Sequence, residues 1–173
     1  MRAARPPGPE GGGGDPVPLL KALAAVGGLS EGLGALGGII NATLERIEIF
    51  NLDMKTGDTL KVKGKISSDA NGFSINLGCS FSDLGLHFNP RFDESVIVCN
   101  SRCSNAWQAE HRDKHFCFSR GSTVKFVIEM LADKFQIKLP DGHQVEFPNR
   151  HYYNKISYMS VKGDFRVTSF KLE

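Results

Sequence analysis

The residues best suited to chemistry lie between positions 83 and 112, a stretch that contains the only tryptophan of the chain. Apolar and polar side chains alternate through residues 84–92, so an extended backbone sends them to opposite faces. One face then carries His87, Asn89 and Arg91, which are an imidazole, an amide and a guanidinium at successive same-face positions. Such groups can contact several hydroxyl groups at once. The pattern predicts a binding surface on a strand, with an ordinary solvated face as the alternative.

Four more candidate residues follow this strand. Asn100 comes near the end of an apolar run, and Trp107, Glu110 and Arg112 follow it. Glu110 and Arg112 are two apart, so they share a face, and we expect the Glu110 carboxylate to lie between Arg112 and Arg91 and to hold both guanidinium groups. Trp107 lies three before Glu110, an offset that a regular strand sends to the opposite face. It joins this surface only if a loop or bulge intervenes, and otherwise it is a core residue.

The length and charge of the chain limit what it can be. Its 173 residues suit one well-buried domain. The 21 basic and 19 acidic residues give a net charge of +2 without long runs of either sign, which argues against nucleic acid as a partner and against a polybasic membrane-binding patch. The four cysteines lack the context of a small secreted framework and are expected to be free thiols, so we expect synthesis in the cytosol. They are Cys79, Cys99, Cys103 and Cys117.

Residues 1–43 differ in composition from the rest of the chain. They hold 11 of the 19 glycines and 5 of the 8 prolines, and they contain no aromatic residue, so they cannot build a core. We expect a flexible extension with at most a frayed helix over residues 19–40. Its apolar run is too short for a membrane span and begins too late for an ordinary signal peptide. The domain is therefore expected to comprise residues 44–173.

From residue 44 onward the sequence consists of short alternating runs separated by turns, which is typical of antiparallel sheets with one buried face. No stretch in this part has a convincing helical period. About ten strands in roughly 130 residues predict an all-β fold built as a two-sheet sandwich. The clearest predicted strands cover residues 60–66, 73–77, 124–130, 135–139, 145–147, 156–161 and 167–172.

Several motifs of this domain resemble the galectin signature, and within that family they are most like the prototype class, types one and two and especially type two. The similarity covers essentially the whole domain. The motifs are His87-Phe88-Asn89-Pro90-Arg91-Phe92, Val98-Cys99-Asn100-Ser101, Trp107 with Glu110 and Arg112 in W-x-x-E-x-R spacing, Lys138-Leu139-Pro140-Asp141-Gly142-His143 and Phe147-Pro148-Asn149-Arg150.

The resemblance implies a jelly-roll sandwich with a shallow groove for β-galactosides, no catalytic activity, and no cofactor or metal. It implies that His87, Asn89 and Arg91 bind the axial 4-hydroxyl of galactose, while Trp107 stacks under the sugar ring. An equatorial 4-hydroxyl, as in glucose, would leave the polar set unpaired, and the site should therefore reject glucosides. If His87 acts as a neutral ring, lactose binding is expected to weaken as the pH falls below about 6.

The same resemblance assigns Asn100 and Glu110 to the galactose 6-hydroxyl, and Glu110 with Arg112 to the neighbouring glucose or N-acetylglucosamine. It also implies a homodimer formed by terminal strands, here residues 47–51 and 167–172, that cross-links glycans of glycoproteins and glycolipids. Export is then expected to follow a route without a signal peptide. Two features depart from the family pattern. Gln108 stands where many family members have glycine, and the N-terminal extension is long.

Three other functions are considered. A glycoside hydrolase needs two suitably spaced carboxyl groups, and only Glu110 belongs to the polar set. A zinc site is suggested by a Cys-x3-Cys pair followed by a His-x3-His pair, but the gap between the pairs is short and no helix carries the histidines. A galectin-fold module that binds proteins and has weak or no sugar binding is the remaining alternative. The residues of the zinc pattern are Cys99, Cys103, His111 and His115.

Overall fold

The structure, a computed structural model, describes residues 39–42 and 46–173, and within these ranges it is all-β. Thirteen strands form two antiparallel sheets, as the sequence predicts. The strands are β1 (Ile39–Ala42), β2 (Arg46–Lys55), β3 (Thr59–Ile66), β4 (Phe73–Ser80), β5 (Asp83–Arg91), β6 (Val96–Cys103), β7 (Ala106–Trp107), β8 (His111–Asp113), β9 (Thr123–Met130), β10 (Lys134–Lys138), β11 (Gln144–Pro148), β12 (Lys155–Gly163) and β13 (Phe165–Leu172).

The larger sheet has the order β1-β2-β12-β4-β5-β6, and β6 is followed at its outer edge by the two short strands β7 and β8. The smaller sheet has the order β11-β10-β9-β3-β13. All of the strands predicted from alternation appear, because one face of each meets the opposite sheet. The short strands β7 and β8 were not expected, since two or three residues carry no readable period.

The core lies between the two sheets and is rich in phenylalanine. Phe126 of β9 packs against Phe88 of β5 at a ring-centroid distance of 5.4 Å and against Phe73 of β4 at 5.9 Å. Phe165 of β13 stacks on Phe73 at 4.8 Å. These contacts join the sheets directly behind the polar face of β5, and they fix the backbone that carries His87.

The domain boundary predicted at residue 44 stays a prediction, but four residues on its N-terminal side form a strand. β1 pairs antiparallel with β2, with Ile39 opposite Phe50 and Ala42 opposite Ile47. Residues 1–38 and 43–45, including most of the expected frayed helix, lie outside the described residues. Among the described residues, no helix is long and apolar enough to cross a membrane.

Candidate functional site

The alternation predicted for β5 is confirmed over its second half. Leu86, Phe88 and Pro90 are buried, whereas His87 and Asn89 are partly accessible on the other face of the sheet. β5 lies between β4 and β6, so its polar face is the middle of the outer surface of the larger sheet. The three polar residues of β5 therefore share one surface, as their spacing requires.

His87 is held in one orientation by the neighbouring strand. Its Nδ1 lies 2.5 Å from Oδ1 of Asn76, which is buried in β4. The amide nitrogen of Asn76 donates to the hydroxyls of Ser74 and Ser160, both at 3.1 Å. The Asn76 oxygen is thus an acceptor, and His87 must donate to it from Nδ1, which leaves Nε2 as an unprotonated acceptor.

The environment of His87 favours the neutral ring. Burial lowers the pKa of His87 from 6.5 to about 4, and the positive charges of Arg91, Lys162 and Arg102 act in the same direction. The ring is therefore neutral over the physiological range. The expectation that sugar binding weakens below about pH 6 was based on an unperturbed histidine, and the lowered pKa moves the expected weakening to about pH 4.

Asn89 and Arg91 are fixed to each other and to the fold. The Asn89 amide nitrogen donates to the carbonyl of Phe73 at 2.7 Å, and its oxygen accepts from Nε of Arg91 at 2.9 Å. One N–H of the Asn89 amide and part of the Arg91 guanidinium stay available for a ligand. Because both side chains are already oriented, a ligand would not have to order them.

A carboxylate does bridge Arg91 and Arg112, but it is Glu94 and not the expected Glu110. Glu94 accepts from Nη1 of Arg91 and from Nη1 of Arg112, both at 3.1 Å, while Glu110 contacts Arg112 at 3.2 Å. The expectation for Glu110 was wrong because the turn between β5 and β6 returns Glu94 towards β8. Ser95, with a φ of 49°, closes that turn in the left-handed region. An acidic residue three positions after Arg91 was the available sequence signal.

The odd spacing of Trp107 is explained by an interruption of the strand beside β6. Arg102 pairs with Trp107 and Cys99 pairs with His111, so three steps along β6 face four steps along its partner. The extra residue lies within 108–110 and acts as a bulge. The Asn100 side chain fills it by donating to the carbonyl of Gln108 at 3.1 Å.

This bulge keeps Trp107 on the polar surface. Its side chain is 49% exposed, and its ring centroid lies 4.6 Å from that of His87. The guanidinium of Arg102 lies 4.9 Å from the indole centroid and 4.7 Å from the ring of Phe81. A cavity of about 150 Å³ opens beside these rings. Its polar lining comprises Ser74, Asn76, His87, Arg102, Ser160 and Lys162.

Gln108, which departs from the family pattern, forms its side-chain contacts with Ser101 and His151 and not with the polar lining of this cavity. Its side-chain oxygen accepts from the hydroxyl of Ser101 and lies 2.9 Å from Nε2 of His151. Arg150 donates to Ser101 at 3.0 Å and to Asn100 at 3.4 Å. Gln108 thus extends the network that positions Asn100, a role that its departure from the family pattern did not indicate.

The zinc pattern suggested by spacing is not assembled in the described part of the chain. Cys99 is buried, whereas Cys103 is exposed. Of its four residues only His115 belongs to a group whose ligand atoms lie close together, and that group contains Cys117 and Asp141 instead.

The fold and this surface define a carbohydrate-binding lectin, and comparison with known proteins identifies the family. The family described as "Galactoside-binding lectin" matches residues 46–172, so the chain belongs to the galectin family. Human galectin-2 is 53% identical over 127 residues, which cover 73% of this chain and 96% of that protein.

Solved structures give the same family. The crystal structure of chicken galectin 2 has 68% sequence identity and a TM-score of 0.72, covering 73% of this chain and 97% of that one. CG-16, described as a homodimeric agglutinin from chicken liver, is 42% identical with a TM-score of 0.72 and coverages of 75% and 100%. A toad ovary galectin in complex with thio-digalactose is 35% identical with a TM-score of 0.73 and coverages of 76% and 100%.

Proposed function

We propose that this chain is a non-catalytic lectin that binds β-galactosides on the polar face of β5 and β6, with Trp107 as the stacking platform. The observation that carries this proposal is the outward indole ring 4.6 Å from His87. An exposed tryptophan beside oriented hydrogen-bonding groups suits a neutral sugar, which has both an apolar C–H face and hydroxyls. The C–H bonds of a galactose ring complement the negative face of the indole.

His87, Asn89 and Arg91 bind the axial 4-hydroxyl of galactose in this proposal. Nε2 of His87 accepts a hydrogen bond from this hydroxyl, because Nδ1 donates to Asn76. The free N–H of Asn89 and the Arg91 guanidinium donate to the same oxygen. A glucoside with an equatorial 4-hydroxyl would leave these oriented groups without a partner, and an unpaired buried group is costly.

The remaining residues extend the contacts along the disaccharide. Asn100 and Glu110 bind the 6-hydroxyl of galactose, and Glu110 with Arg112 binds the neighbouring glucose or N-acetylglucosamine. Glu94 supports this end of the site because it holds the guanidinium of Arg112 at 3.1 Å. A guanidinium that is already paired loses little side-chain freedom when the ligand binds.

The carboxylates of the site do not suit glycoside hydrolysis. A glycosidase needs one carboxylic acid with a raised pKa as the proton donor. Hydrogen bonds from Arg91 and Arg112 lower the pKa of Glu94 instead, and Glu110 is paired with Arg112. We therefore expect no turnover of a chromogenic β-galactoside.

Retention on immobilised lactose tests the proposal. The chain should bind the column and elute with free lactose, while maltose, whose non-reducing glucose has an equatorial 4-hydroxyl, should not elute it. Trp107→Leu should abolish retention. Tyr152→Leu is the matched control, because Tyr152 is 82% exposed and its ring is not part of the proposed sugar-binding surface. Failure of the unmodified chain to bind, or full retention of Trp107→Leu, would refute the proposal, and failure to bind would favour the protein-binding alternative.

We also propose a homodimer that cross-links galactosides of glycoproteins and glycolipids, in keeping with the homodimeric CG-16. The two edges expected to pair differ in this chain. β13 is the outer strand of its sheet in the described residues, whereas β2 is covered by β1. A second copy can pair with β2 only after β1 leaves, because both use the same backbone groups. Residues 39–42 thus compete with the dimer.

Synthesis in the cytosol, followed by export without a signal peptide, remains part of the proposal. The four cysteines are free, which suits a reducing compartment. Secretion from cells should therefore continue when transport from the endoplasmic reticulum is blocked. Loss of extracellular protein under that block would contradict this route.

A further inference from the structure

Three potential metal ligands converge at a place that the saccharide surface does not use. His115 and Cys117 belong to the segment that follows β8, and Asp141 lies in the turn between β10 and β11. One ligand atom of each lies within 4.8 Å of the others. None of the three is among the residues proposed to bind sugar. The cluster therefore has no role in the function proposed above.

The three atoms are an imidazole nitrogen, a thiol sulfur and a carboxylate oxygen. This mixture suits Zn²⁺, which takes nitrogen, sulfur and oxygen ligands in tetrahedral sites. It does not suit Ca²⁺ or Mg²⁺, which prefer oxygen alone. Three protein ligands leave the fourth tetrahedral position for water.

The ligand atoms are held by groups around them. The backbone N–H of His143 donates to Oδ1 of Asp141 at 3.0 Å, so Oδ2 is the oxygen that meets Nε2 of His115. The His115 ring stacks on the His143 ring at 3.9 Å with an angle of 15°. Asp113 accepts from the His115 backbone at 2.8 Å and lies 3.3 Å from Nε2 of His143. Outer contacts of this kind orient metal ligands in known sites.

Cys117 belongs to the same contact, because its thiol is hydrogen-bonded to the Asp141 carboxylate and its sulfur lies within the cluster. A divalent cation between the sulfur and the carboxylate would compensate the negative charges that both ligands carry when they bind it. The site is also open to solvent, since the side chains of His115 and Asp141 are 39% and 40% exposed. A metal ion can therefore enter without unfolding the domain.

We propose that His115, Cys117 and Asp141 form a Zn²⁺ site that links the segment after β8 to the β10–β11 turn. The ion occupies the position between the three ligand atoms, and two protons leave these atoms for solvent when it binds: the thiol proton of Cys117 and the proton between His115 and Asp141. Its role is structural, because it fastens the segment that leads from the larger to the smaller sheet to a turn of the smaller sheet. Galactoside binding does not require it, so the two sites can be tested separately.

The test is titration of the full, reduced and chelator-treated chain with zinc chloride, with native mass spectrometry to count bound ions and thermal unfolding to follow stability. One ion should bind per chain and raise the unfolding temperature. Cobalt chloride should give the ultraviolet charge-transfer absorption of a thiolate ligand. Cys117→Ser should remove that absorption, whereas Cys103→Ser, which alters an exposed cysteine outside the cluster, should keep it.

Two more variants separate the cluster from unspecific binding. Asp141→Asn should weaken zinc binding strongly, and Asp113→Asn, which changes only an outer contact, should weaken it about 10-fold. Retention on lactose verifies that each variant is folded. Absence of one-to-one binding by the unmodified chain, or an unchanged cobalt absorption in Cys117→Ser, would overturn the zinc site and leave the lectin proposal intact.

Discussion

The titration of His87 gives the most informative prediction about this domain, because it affects stability and sugar binding at different pH values. The unfolded chain takes up a proton at this residue with the ordinary histidine pKa of 6.5, but in the folded chain this pKa is about 4. Between these values the unfolded state binds more protons, so the free energy of unfolding falls as the pH falls. Stability is lost as the pH falls below about 6.5, and the loss is complete once the pH has passed below about 4.

The magnitude follows from the size of the shift. One pKa unit corresponds to about 1.4 kcal/mol, so the shift from 6.5 to about 4 amounts to about 3 kcal/mol. Burial is the largest cause, and Arg91, Lys162 and Arg102 add repulsion. His87→Gln keeps a polar side chain but cannot titrate, and it should therefore lack this part of the pH dependence.

The assay is urea unfolding at a series of pH values for the unmodified chain, His87→Gln and His111→Gln. The last variant is the control, since His111 is an exposed histidine of β8. Subtracting each variant's curve from that of the unmodified chain cancels the pH dependence that comes from the carboxylates, because all three proteins share them. The free energy of unfolding of the unmodified chain and of His111→Gln should include a fall of about 3 kcal/mol from about pH 6.5 to about pH 4. Only His87→Gln should lack this fall.

Lactose affinity of the unmodified chain should stay constant down to about pH 5, because the imidazole is still a neutral acceptor there. The affinity should fall at about pH 4, where Nε2 becomes protonated. An affinity midpoint near pH 6, or identical stability curves for the unmodified chain and His87→Gln, would refute the argument that burial sets this titration.

Three further predictions concern other parts of the site and the β2 edge. Glu94→Gln should weaken lactose binding severalfold in calorimetry, because Arg91 and Arg112 lose their shared partner; an equal effect of Asp93→Asn, the neighbouring carboxylate, would contradict this. Lactose should protect the fluorescence of Trp107, the only tryptophan, from acrylamide quenching, whereas maltose should not; equal quenching with and without lactose would argue against stacking. Deletion of residues 1–45 should strengthen dimerisation about tenfold in sedimentation equilibrium, since release of a short strand contributes on the order of 1.4 kcal/mol; an unchanged dissociation constant would show that β1 does not compete.

The sequence predicted the parts of this protein that depend on local periodicity. Strand alternation is a property of neighbouring residues, so the faces of β5 and the two-sheet class could be inferred before any coordinates. The motif around His87, Trp107 and Arg112 indicated the family by its resemblance to the galectin signature. Their spacing along the chain is preserved wherever the strands are placed.

The tertiary structure decided what depends on contacts between distant segments. It assigned the bridging carboxylate to Glu94, because a turn and the pairing of β8 with β6 bring three separate segments together. It set the titration of His87, since burial by neighbouring strands is not visible in composition. It paired β1 with β2, and it brought Cys117 close to Asp141, which lies 24 positions further along the sequence. Local residue types determined the kind of surface that forms. Only the packing of the sheets determined which carboxylate bridges the arginines, at which pH His87 takes up a proton and which strand covers the β2 edge.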